Sequence, residues 1–145
     1  MMKLMIIRSV YLIKFTIIGK PKALKRHRPS ARGGYYDPSS KDKKNILLQI
    51  AKFKPKRPLA GDIILSIRFT MPRPKHHFRT GKYSHLLKDH APKYHSVKPD
   101  LDNLVKLISD VLQPDFYVDD SQICQIYAEK MYGKQPNTAI IIQEI

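Results

Sequence analysis

The chain has 145 residues, with 27 Lys and Arg against 12 Asp and Glu, a formal charge of +15 and a sequence pI near 10.0. That length fits one domain, and a 42% hydrophobic content suffices for a packed core, which excludes a disordered tail. The excess charge makes a polyanion the first partner to consider, because such a field attracts phosphate backbones. One cysteine, Cys124, excludes an intramolecular disulfide and a cysteine zinc site, which suits a reducing cytoplasm. Lys3, Arg8 and Lys14 interrupt the apolar N-terminus and no small-residue cleavage site follows, so neither a signal peptide nor a membrane span is expected.

Residues 10–18 (VYLIKFTII) are β-branched and aromatic and run into Gly19 and Pro21, which predicts a strand. Residues 1–9 are expected to form either an added strand or a loose extension ahead of it. Lys20 to Ser40 is rich in Pro, Gly and cations, has no hydrophobic period, and reads as a long basic loop. There Lys20, Lys22, Lys25, Arg26, Arg28 and Arg32 would grip a phosphate backbone, with Tyr35 or Tyr36 stacking on bases. Ile46, Leu47, Ile50, Ala51 and Phe53 are spaced for a helix over residues 41–53, with Ser40 as N-cap and Pro55 and Pro58 as its stop. Residues 62–71 (DIILSIRFTM) predict a second strand with Ile63, Leu65, Ile67 and Phe69 on one face. After it, residues 75–97 hold His76, His77, His85, His90 and His95 at spacings that fit no zinc pattern. The expectation is a basic, His-rich surface loop over the substrate, with Arg73, Lys75, Arg79 and, just beyond it, Lys98 as further DNA contacts.

The charge divides unevenly along the chain. Residues 1–99 carry 24 basic and 4 acidic side chains, whereas residues 100–145 carry 3 and 8. Half of the carboxylates, Asp100, Asp102, Asp110, Asp115, Asp119 and Asp120, lie within residues 100–120, a cluster for which a plain polyanion binder has no use. Leu101, Leu104, Leu107, Ile108, Val111 and Leu112 mark the buried stripe of a helix that starts with Asp102 or Asn103 at its N-cap. Lys98-Pro99 favours an extended approach, so Asp100 and Asp102 can reach one point outside the helix terminus. Lys106, one turn after Asp102, is either part of a surface charge ladder with Asp102 and Asp110 or an ammonium beside a reacting phosphate. Gln113 to Tyr117 forms a turn, and Asp119-Asp120-Ser121 leads into a strand in which Cys124, Ile126 and Ala128 face the core. Asp120 shares their parity and is therefore expected to join Asp100 and Asp102, with Asp119 as the alternative. A last strand covers residues 138–145. Three converging carboxylates repel unless a hard cation sits among them, and Mg²⁺ takes oxygen ligands from a few carboxylates, water and phosphate. An acidic metal site inside a basic chain points to a nuclease.

The run Lys98-Pro99-Asp100-Leu101-Asp102-Asn103-Leu104, then Lys106 and Asp110, then Asp119-Asp120-Ser121-Gln122-Ile123, resembles the signature of the RusA family of Holliday-junction resolvases. Gly19-Lys20-Pro21 followed by a basic loop is similar to phage-type members. The resemblance covers most of the chain. It implies an α+β fold, a single domain over residues 1–145 with a mixed β-sheet and two main helices packed on it. It further implies a homodimeric, Mg²⁺-dependent endodeoxyribonuclease, with Mn²⁺ able to substitute, that nicks four-way DNA junctions symmetrically in recombination and repair, and many relatives are prophage-encoded. By motif the catalytic carboxylates are Asp100, Asp102 and Asp120, the essential lysine is Lys106, and no small-molecule cofactor is required. Two other readings fit the same residues: a metal nuclease for other branched DNA or RNA, and a non-catalytic basic nucleic-acid-binding protein with a structural acidic cap.

Overall fold

A computed structural model describes residues 11–145, so the extension predicted for residues 1–9 lies outside the described residues. The fold is α+β, with a mixed four-stranded sheet and two main helices on one of its faces. Its strands are β1 (Tyr11–Ile18), β4 (Ile63–Pro72), β5 (Ile123–Gly133) and β6 (Asn137–Glu144), in the order β1-β6-β4-β5. β6 is antiparallel to both β1 and β4, whereas β4 and β5 run parallel. Parallel neighbours need a crossover, and α2 (Leu101–Leu112) supplies it. A small hairpin pairs β2 (Arg28–Pro29) with β3 (Tyr35–Tyr36), and α1 (Ser40–Ile50) follows it.

Alternation in the strands decides which face is covered. Ile13, Phe15 and Ile17 of β1, the odd residues Ile63 to Phe69 of β4, and Ile140 and Ile142 of β6 all turn to the helices. Leu104, Leu107, Ile108, Val111 and Leu112 of α2, with Ile46 and Ile50 of α1, close that core. Each such side chain contributes about 1.5–3 kcal/mol by leaving water, and Leu104→Ala would cost about 2–5 kcal/mol. The opposite sheet face carries Lys14, Ser66, Arg68, Tyr127 and Glu129, with Arg68 and Glu129 joined as an ion pair.

Several boundaries differ from the sequence expectation for local reasons. α1 ends at Ile50, and residues Ala51–Phe53 continue it only as a tighter 3₁₀ turn. Its N-cap is Ser39 rather than Ser40. Ser39 is fully buried, and its hydroxyl accepts the Lys25 backbone N–H at 2.9 Å instead of capping the helix. The basic loop is thereby pinned at its middle, and the Leu24 N–H donates to the Asn103 carbonyl at 2.9 Å, which lays the loop across α2. α2 starts one residue after Asp100, so Asp100 is the N-cap and Asp102 already lies in the first turn.

Candidate active site

The N-terminal end of α2 gathers charge from three parts of the chain. Asp100 caps the helix in an extended conformation, and the Lys98 ammonium donates to its Oδ2 at 2.8 Å. That hydrogen bond holds the Asp100 carboxyl below the usual carboxylate range, and the Lys130 charge adds to the effect. Asp102 accepts the Asn103 N–H at 2.9 Å, and its other oxygen lies 3.6 Å from Lys106 Nζ one helical turn away. Both carboxylates therefore stand on the first turn of one helix, each beside its own lysine. The helix N-terminus, with its unpaired N–H groups, adds partial positive charge at the same place.

Lys130, which belongs to none of the sequence motifs above, organises this end. Its ammonium donates to the Val97 and Pro99 carbonyls at 2.7 and 2.6 Å and so holds the turn that presents Asp100. Burial lowers its pKa. A signal did exist: Lys130 has the same even parity as Ile126 and Ala128, and a lysine on a core-parity position of a strand needs a buried acceptor. Next to it, Tyr132 is flanked by His77 and His95 at ring separations of 4.7 and 4.9 Å, and Arg73 lies over the ring at 5.3 Å. His77 and His95 are thus buried anchors of the His-rich segment, where a basic surface loop was expected. Burial pushes both imidazoles below their ordinary pKa.

The third predicted carboxylate is elsewhere. Asp120 sits in a 3₁₀ turn (Asp120–Gln122) that precedes β5, so strand parity does not govern its direction. Its N–H donates to Gln113 Oε1 at 2.9 Å, and Gln113 directly follows α2. Twelve residues of helix span about 18 Å, so Asp120 lies at the far end of α2 from Asp100 and Asp102. Convergence of the three carboxylates within one chain is therefore corrected: among the described residues no group of three His, Cys, Asp or Glu side chains is placed to hold a metal ion. Asp119 is occupied structurally, since its carboxylate accepts the Ser121 N–H at 3.3 Å while its own N–H donates to Gln122 Oε1 at 2.9 Å. The expected ladder also stops short, because Asp110 turns to Lys43 (3.6 Å), which is shared with Asp37 (2.7 Å). Of the core-parity residues of β5, Ile126 and Ala128 align with Leu65 and Ile67, but Ile126 is 49% exposed because β5 is an edge strand. Cys124 is exposed at the register shift that opens the strand.

The basic candidates divide in the same way. Lys20, Lys22, Lys25, Arg26, Arg28 and Arg32 follow the segment that crosses α2 and forms the β2–β3 hairpin, and the Lys20 charge reaches His95. Tyr35 and Tyr36 are exposed on β3. Arg73 is committed to the Pro92 carbonyl at 2.8 Å and to Tyr132, so it builds the site more than it offers a free cation. Lys75 and Arg79 are exposed on the His-rich segment. No helix among the described residues is long and apolar enough to cross a membrane.

Known proteins resemble this chain along nearly its whole length. The chain is similar, at 31% identity over 141 residues covering 92% of it and 96% of the relative, to a protein of Bacillus subtilis (strain 168) described as "Uncharacterized protein YqaN". The family model described as "Endodeoxyribonuclease RusA" matches residues 19–143, which include both basic segments, α2 with its two aspartates, and the Asp119-Asp120 turn. By that near-complete match the chain belongs to the RusA endodeoxyribonuclease family.

Proposed function

We propose that this protein resolves four-way DNA junctions, hydrolysing phosphodiesters with Mg²⁺ held by Asp100 and Asp102 and with Lys106 as the catalytic lysine. The observation that carries the reading is the pair of carboxylates on the first turn of α2, inside a basic surface and in a chain of the RusA family. The donor set fits such an ion: oxygen only and open to solvent, as Mg²⁺ requires when it also takes water and phosphate. When bound, Mg²⁺ supplies Lewis-acid polarisation of the phosphodiester and offsets the repulsion between two carboxylates. Lys98 and Lys106 pair with those carboxylates, and with a cation held by Asp100 and Asp102 their ammonium groups would be available to a phosphate. Lys106 then faces the charge that develops on the phosphoryl oxygens, and the helix N-terminus favours the same anion.

The position of Asp120 favours a homodimer in which each site takes Asp100 and Asp102 from one copy and Asp120 of the partner subunit. β5 supports it, being the last strand of the sheet, with Ile126 and Tyr127 exposed along its edge. Among the described residues that edge is joined only near its end, by residues 93–95. Antiparallel pairing of two such edges sets the Asp119-Asp120 turn of one copy near the Lys130 end of the other, where Asp100 lies.

The experiment uses a synthetic four-way junction with Mg²⁺. The wild-type protein should give paired nicks, and Asp102→Asn should abolish them while junction binding persists. Unchanged cleavage by Asp102→Asn would sink the mechanism. Mixing Asp102→Asn with Asp120→Asn, each inactive alone, should restore single nicks, because a mixed dimer contains one intact site. Failure of the mixture, with both variants dimeric, would return all three carboxylates to one chain.

A further inference from the structure

We propose that residues 77–88 form a wedge that stacks Tyr83 on an unpaired base at the branch point of the DNA, with Arg79, Lys82 and Lys88 on the flanking phosphates. This rests on the reading that the chain acts on branched DNA. The segment is a hairpin of fixed shape: Phe78 and Leu87 pair across it, the Arg79 N–H donates to the Leu86 carbonyl at 2.8 Å, and the Lys88 N–H donates to the His77 carbonyl at 2.9 Å. A 3₁₀ turn (Gly81–Tyr83) closes it, with Gly81 at φ +63°, a value glycine takes without strain.

Its root is fixed to the same end of the molecule as the carboxylates. His77 and Arg73 both pack on Tyr132, two residues beyond the Lys130 that holds the turn before Asp100. The hairpin therefore rises beside the N-terminus of α2 and not from the opposite end of the sheet.

The tip has the chemistry of a base-stacking site. Every residue from Arg79 to His90 is exposed, and among them stand Tyr83, Leu86 and Leu87, which a merely solvated hairpin would replace with polar residues. Arg79 and Lys82 lie 5.6 and 5.1 Å from the Tyr83 ring centre, Thr80 and Lys88 complete the surrounding cleft, and Asp89 is the one carboxylate between residues 73 and 99. An apolar tip ringed by cations of a single sign matches an unstacked base between phosphates better than a protein surface, whose rim carries both signs.

The test measures binding in EDTA, so that cleavage does not intervene, of a four-way junction and of a linear duplex of the same sequence. Tyr83→Ala should weaken junction binding about tenfold or more and leave duplex binding unchanged, whereas Tyr83→Phe should bind like the wild type. Lys88→Ala should weaken both substrates and lower the slope of log K against log salt by about 1. Unchanged junction binding by Tyr83→Ala, or equal losses on both substrates, overturns the wedge while the resolvase reading stands. A wild-type protein with no preference for the junction overturns both.

Discussion

The two ends of α2 carry similar residues and use them differently. At the N-terminal end, Asp100 and Asp102 are half-exposed or exposed, and each rests against one lysine that can leave. At the C-terminal end the carboxylates hold the fold: Asp37 and Asp110 share Lys43, and Asp119 closes the turn before β5. An ion pair in solvent contributes little to stability and is easily exchanged, whereas Asp37 and Asp119 close turns by accepting the N–H groups of Ser39 and Ser121. Of the C-terminal set, Asp115 and Asp120 form no ion pair among the described residues, and of the two it is Asp120 that lies in the turn opening β5, where its carboxylate could serve a site elsewhere.

Exchanging substitutions between the ends should break this contrast. The largest expected effect is on cleavage: Asp120→Asn should lower the junction-nicking rate at least about 100-fold with the melting temperature unchanged. Asp119→Ala should do the reverse, lowering the melting temperature through the lost cap while a measurable nicking rate remains. Equal losses of activity from both would show that the two aspartates act as one group.

Next in size is an effect on alkaline stability from Tyr117, whose buried hydroxyl donates to the Ser109 carbonyl at 3.1 Å. Burial pushes its pKa up to about 12, against the pull of Ser109, and the nearby Asp110 and Asp120 charges add to the rise. The folded value lies above the ordinary 10.0, so this stabilisation is complete below pH 10 and is lost as the pH rises through 12. The loss amounts to about 3 kcal/mol. Tyr117→Phe should cost about 1 kcal/mol at neutral pH and should flatten urea-denaturation midpoints between pH 10 and 12 relative to the wild type.

The smallest effect is at acid pH. Lys43 and the Ser39 N–H hold Asp37 below its ordinary pKa, so its contribution is present above pH 3.8 and disappears as the pH falls through the lower folded value. Lys43→Met should reduce that acid dependence and lower the melting temperature at neutral pH by a few degrees. At the other end, Lys98→Met should leave the melting temperature unchanged, since its pair with Asp100 is mostly exposed.

The helix stripe from Leu101 to Leu112 and the alternation in β4 were legible in the sequence because burial on one face imposes a period that survives any tertiary context. The DxDN run was legible as a motif, and the same stripe set it at the start of the helix. The hairpin at residues 77–88 was not, since it lacks hydrophobic alternation and is closed by backbone hydrogen bonds that side-chain patterns do not encode. Lys130 was half-legible: its parity was readable, but its acceptors belong to residues more than 30 positions away.

Sequence alone determined that this chain is basic in its first two-thirds and acidic in its last third, with half of its carboxylates gathered in residues 100–120. Only the tertiary structure decided where those aspartates stand. Because β4 and β5 are parallel, the chain must return along α2 before β5 begins, and the length of that helix separates Asp120 from Asp100 and Asp102. Residue spacing cannot express that separation, because it depends on the direction in which strands pair and not on the side chains they carry.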